Sequence, residues 1–147
     1  MAMGSDRAGR RYPTASGKSF VPDATLMHSN CSRVEPVMDH PELLHPTSLA
    51  RFNSEKMTKV DIFRSDRMLV GLNAFEAGQE HALHGHADQD KVYHILEGEG
   101  EFLLEERTIE MSAGAMLVAP AGVPHGVRNT GHDRLVVLVF MAPAPSR

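Results

Sequence analysis

The feature that most constrains this chain is the even spacing of its turns. From about residue 57 onward, short β-favouring runs alternate with glycine-bearing breaks, and no stretch carries helical periodicity of useful length. The runs are Val60–Phe63, Met68–Leu72, Ala82–His86, Val92–Leu96, Glu101–Leu104, Ala115–Ala119, Val123–Val127 and Leu135–Met141. Between them lie Ala77-Gly78, Glu97-Gly98-Glu99-Gly100, Ala113-Gly114, Pro120-Ala121-Gly122 and Asn129-Thr130-Gly131. Many short strands with tight connections predict an all-β antiparallel sandwich or barrel, with the domain proper at 57–147. A chain of 147 residues suits one such domain.

The remainder is organised differently. Residues 1–22 are rich in Gly, Ser, Pro and Arg and are expected to form a disordered tail. In 23–56, Pro36, Pro41 and Pro46 exclude a long helix. This segment is expected to be an extension, with Leu43, Leu44 and Leu49 in a short turn packed on the barrel or on a dimer partner.

Charge narrows the function. A formal net charge of −4 and the absence of a basic stripe interleaved with aromatics argue against nucleic acid as a partner. The longest apolar run, Leu135–Ala142, is too short for a membrane helix. A single cysteine, Cys31, permits no internal disulfide and fits a reducing compartment, so a cytoplasmic location is expected.

Histidine carries the chemistry. His81, His84, His86 and His94 crowd one short segment, which points to metal or proton chemistry. In a strand, residues i and i+2 share a face, so His84 and His86 would project together toward one cation. By the same parity His81 falls on the opposite face, and His94 lies opposite Lys91. Both are expected at the surface or behind the ligands. Tyr93 shares parity with Lys91 and is a candidate to line the pocket. Met111 and Met116 read as core fillers, and Asn129 as a structural turn residue.

Two spaced patterns frame these residues. The first is Gly78-x5-His84-x-His86-x4-Lys91-x6-Gly98. The second is Gly114-x5-Pro120-x-Gly122-x2-His125-x3-Asn129. Together they resemble the two motifs of the cupin family, over roughly residues 60–142. The second motif is met at every defining position. In the first, the family's acidic ligand position is held by Lys91, whose ammonium cannot bind a metal.

The resemblance implies an antiparallel jelly-roll β-barrel that commonly dimerises. The strand around Val60–Phe63 is then expected at a sheet edge shared in a homodimer. It also implies one divalent metal ion (Fe, Mn, Ni, Zn, Co or Cu) held by His84, His86 and His125. With Lys91 in the acidic position, the fourth place falls to water, to Gln89 or to Asp90, or else the site is degenerate and holds no metal. Lys91 either points inward, as a proton donor or a grip on an anion, or turns to solvent or to Asp90 or Glu97. Two functions stay open. One is an enzyme of dioxygenase- or isomerase-like type acting on a small polar or carboxylate-bearing metabolite, with Lys91 or Tyr93 handling protons. The other is a non-catalytic small-molecule binding or sensing module.

Overall fold

The computed structural model describes residues 40–145, together with the backbone of two short strands nearer the N-terminus. The chain divides into two units, Met1–Ser32 and Arg33–Arg147. In the first, β1 (Met3–Ser5) pairs antiparallel with β2 (Arg11–Pro13). The rest of the expected tail, and Cys31, lie outside the described residues.

The second unit is two antiparallel sheets packed face to face, an antiparallel barrel as the turn spacing predicts and the jelly roll that the resemblance implies. The larger sheet has the order β3 (Thr58–Arg64), β4 (Leu69–Phe75), β11 (Leu135–Ala142), β6 (Asp90–Glu97), β9 (Met116–Ala119). The smaller has the order β5 (Glu80–His84), β10 (His125–Arg128), β7 (Glu99–Leu103), β8 (Thr108–Ser112). No helix among the described residues is long and apolar enough to cross a membrane.

Alternation along the strands builds the interior. Tyr93 and Ile95 of β6, Val137 and Val139 of β11, Phe102 of β7 and Val127 of β10 meet between the sheets. A second apolar cluster forms on the outer face of the larger sheet. There Ile62, Leu72 and Val136 are covered by Leu44, Leu49 and Phe52, in and beside a 3-10 turn at Pro46–Leu49. Leu43 faces solvent.

The four motif glycines Gly78, Gly98, Gly114 and Gly122 all have positive φ. Gly98 shows the requirement most sharply. At φ 82° a Cβ there would lie 2.3 Å from the Arg134 carbonyl oxygen, so the hairpin between β6 and β7 admits no side chain.

Three expectations are corrected. Met111 is buried, but Met116 is 64 % exposed. It sits on β9, an edge of the larger sheet, where Leu117 and Ala119 face inward and Met116 and Val118 take the outer face. The strand expected at Ala82–His86 instead runs Glu80–His84. Beyond the His84–His125 pair, Gly85 comes against Pro124, which has no N–H to extend the ladder. His86 therefore sits in the following loop, not on a strand. The third correction concerns His81.

Candidate metal centre

His81 reaches the site face because the strand contains one residue too many. His84 pairs with His125 and His81 with Val127, so three steps along β5 match two along β10. This bulge at 82–83 reverses the parity expected of a regular strand. Gly126 makes it possible, since a Cβ there would lie 2.7 Å from the His81 carbonyl oxygen. The His81 and His84 rings consequently meet at 4.0 Å between centroids, tilted by 41°. The opposite-face expectation for His81 assumed an unbroken ladder. His94 keeps the outward parity, with Nδ1 donating to the Ala115 carbonyl at 3.2 Å.

The structure brings His84, His86 and His125 together, with one nitrogen of each within 4.8 Å of the other two. Ring centroids are 4.7 Å apart for His84 and His125, 5.1 Å for His84 and His86, and 5.8 Å for His86 and His125. The tautomers follow from their partners. His84 Nδ1 contacts the Ala82 carbonyl at 2.8 Å and His125 Nδ1 the Val123 carbonyl at 2.7 Å. A carbonyl only accepts, so each Nδ1 carries the proton and each Nε2 presents a lone pair. The Nε2 atoms of His84, His86 and His125 are all buried without a hydrogen-bond partner. Two buried acceptors with nothing to accept from, and a third unpartnered imidazole nitrogen beside them, fit a cation. Bonds of about 2.1 Å hold two donors at most about 4.2 Å apart, so small side-chain rotations would complete the fit.

The loops that carry the rings are fastened to each other. Gly122 N–H donates to the His86 carbonyl at 2.8 Å, and Ala121 N–H to Asp90 Oδ1 at 2.9 Å. These bonds clasp the turn before β10 to the loop after β5. They also commit Asp90, an expected candidate for the fourth ligand, to a structural bond on an exposed side chain. Gln89 is half-buried, just before β6.

Lys91 is interior, only 4 % exposed, and is neither turned to solvent nor paired with Asp90 or Glu97. Its ammonium lies over the Tyr93 ring, 4.8 Å from the centroid. Burial first, and Lys59 second, lower its pKa from 10.5 to about 8. Tyr93 is fully buried and edges against Phe102 and His125 at 5.2 and 5.6 Å. Burial raises its pKa, so its hydroxyl stays protonated. A cavity of about 210 Å³ adjoins His86 and Lys91.

Burial also holds the imidazoles neutral. It lowers His81 to about 3, assisted by Lys59, and His84 to about 4, against an opposing contribution from the Ala82 carbonyl. His86 and His125 shift downward too, again mainly by burial. In the unfolded chain these groups take up protons near pH 6.5, so the unfolded state binds more protons below that value. The chelator-treated protein should therefore be most stable above about pH 6.5 and lose stability as pH falls toward about 4. Urea midpoints measured from pH 7.5 to 5 check this, and a flat profile across that interval would contradict it.

Comparison with known proteins agrees with the geometry. The family model described as "Cupin domain" matches residues 71–141. The crystal structure of an RmlC-like cupin protein from Desulfovibrio desulfuricans is 32 % identical, covers 72 % of this chain and 100 % of its own, and superposes with a TM-score of 0.66. The chain belongs to the cupin family. This cupin is also 43 % identical to a structure from Thermus thermophilus, over 71 % of this chain and all of that one, with a TM-score of 0.68. A protein of Thermotoga maritima named as oxalate-binding is 33 % identical over 64 residues. That match spans 44 % of this cupin and 53 % of the Thermotoga protein.

His81, expected at the surface or behind the ligands, lies against the His84 ring; what was missed is the bulge that turns it there. A bulge between two strands leaves no mark in either strand read alone, and the one usable signal was Gly126, a glycine inside a strand pattern.

Proposed function

We propose that this cupin binds one divalent metal through His84, His86 and His125 and acts on a small carboxylate-bearing metabolite. The observation that supports the reading best is the convergence of three buried, unpartnered Nε2 atoms, two of them fixed in the right tautomer by backbone carbonyls. A bound metal would supply Lewis-acid polarisation of ligand oxygens, or redox chemistry of dioxygenase- or isomerase-like type. The chain's own residues do the rest. Water or Gln89 takes the place of the missing acidic ligand. Lys91 is a buried cation that can donate a proton, and Tyr93 a neutral hydroxyl donor deep in the barrel. Neutral imidazoles leave the site formally cationic when a metal is bound, which favours an anion. The oxalate-binding relative is consistent with that preference.

Elemental analysis of the purified protein should give about one metal per chain. Titration of oxalate into the Co(II)-loaded protein should change its visible spectrum as carboxylate oxygens displace water. An unchanged spectrum would defeat the anion preference. A second reading, binding or sensing without turnover, is favoured by Lys91 standing where the family has an acidic ligand. It predicts the same spectral change with no oxygen uptake and no product from diketones or aromatic diols.

A further inference from the structure

Beside the three imidazoles, the inner face of the larger sheet carries a further group of polar side chains that supply no ligand to a metal. Lys59 of β3 lies directly across from Asn73 of β4. Two rows further, Met141 of β11 lies across from Lys91 of β6. Gly71, which has no side chain to fill the middle of this face, lines the same cavity of about 210 Å³ as Lys59, Asn73, Lys91 and His86. By liquid volume that space equals roughly seven waters, enough for a short organic acid.

The donors in this cavity outnumber the acceptors. Asn73 is 4 % exposed, and its Nδ2 has no hydrogen-bond partner. Lys91 is equally buried and forms no ion pair among the described residues; its charge meets only the Tyr93 ring. Lys59 is an exposed residue whose Nζ lies 3.2 Å from His81 Nε2, and the Asp61 carboxylate on the same strand offsets part of its charge. One carboxylate lines the cavity, Asp61, and it is committed to Arg64 at 3.3 Å. Buried donors without acceptors, here Asn73 Nδ2 and the Lys91 ammonium, are costly, and a cavity that adds the more exposed cations Lys59 and Arg64 to them is suited to an anion.

We propose that Lys59, Asn73 and Lys91 form a second anion subsite, which selects a ligand carrying a carboxylate at each end. This deepens the function proposed above and rests on it in one respect: the near end of the ligand is placed at the imidazole cluster, beside His86. The far carboxylate accepts from Nδ2 of Asn73 and from the two ammonium groups. The substrate class is therefore a short 2-oxygenated dicarboxylate, and the matching monocarboxylate binds poorly.

The test is a homologous series with the same metal-chelating end. Lactate, malate and 2-hydroxyglutarate all present a 2-hydroxycarboxylate, and the latter two add a carboxylate at increasing reach. Calorimetric titration of the manganese-loaded protein should show malate or 2-hydroxyglutarate binding at least about tenfold tighter than lactate, the worth of one charge-assisted hydrogen bond. Lys91→Gln should bring the ratio to within about twofold, and Lys59→Gln should lower it in the same direction. Equal affinity for mono- and dicarboxylates in the native protein would overturn the proposal. So would a ratio that survives both substitutions.

The same ratio measured on chelator-treated protein separates the two ideas. A preference for dicarboxylates that persists there, beside an elemental analysis showing no metal in the purified protein, would keep the subsite and remove the metal centre. Stoichiometric metal with no preference in either form would do the reverse.

Discussion

Purified His125→Ala protein should retain less than about a tenth of the metal carried by the native chain, with affinity lowered by at least about a hundredfold. Loss of residues that merely orient a ligand costs 10- to 100-fold (about that range in well-studied sites), and removing the ligand itself exceeds it. His125 is 1 % exposed, so the substitution also leaves a hole beside Tyr93 and Phe102. His84→Ala separates the two effects. Its ring is only half-buried, so the barrel should keep its circular dichroism and lose metal all the same. Native-like metal content in both variants, by elemental analysis, would refute the three-imidazole site.

The second large effect concerns a residue remote from the imidazoles. Asn129 is fully buried and its side chain joins three pieces of chain. Nδ2 donates to the carbonyls of Asp133 at 2.8 Å and Glu76 at 3.1 Å, while Oδ1 accepts from Gly131 N–H at 3.0 Å. Its backbone adds bonds from Gly78 N–H and to the Gln79 carbonyl. Asn129→Ala should lower the unfolding free energy by roughly 2–4 kcal/mol, since each buried group left unpaired costs about 1–3 kcal/mol and some will find water. Asn129→Asp should be at least as harmful, because it turns a carboxylate toward two carbonyls. Urea unfolding measures both. A loss under about 0.5 kcal/mol for the alanine variant, the range of ordinary surface changes, would show that Asn129 is not a structural hub.

What could be read from the sequence followed what is local. The turn glycines, the shared face of Lys91 and Tyr93, and the role of Asn129 all depend on backbone preferences within a few residues. The spacing of His84, His86 and His125 was legible because the resemblance tied two distant segments together. The rest depended on what lies across a ladder. Pro124 ends β5 from the neighbouring strand, so the reach of that strand is not written in its own residues. Met116 is apolar enough for a core but lies on an edge strand whose outer face is uncovered. The burial of Lys91 stayed open because parity gives a face and says nothing of the anions present there. The donor-rich cavity emerged only from the register of β3, β4, β11 and β6.

The bulge at 82–83 has a consequence for how such a pocket can be altered. Adding or removing one residue there rotates everything N-terminal to it in β5 by half a turn about the strand axis, while His84 and its pairing with His125 stay in place. A single-codon deletion would thus exchange His81 for a neighbour at the wall of the site without touching any ligand. Length variation in this one strand is a means of changing what surrounds the metal while leaving the metal's own donors alone.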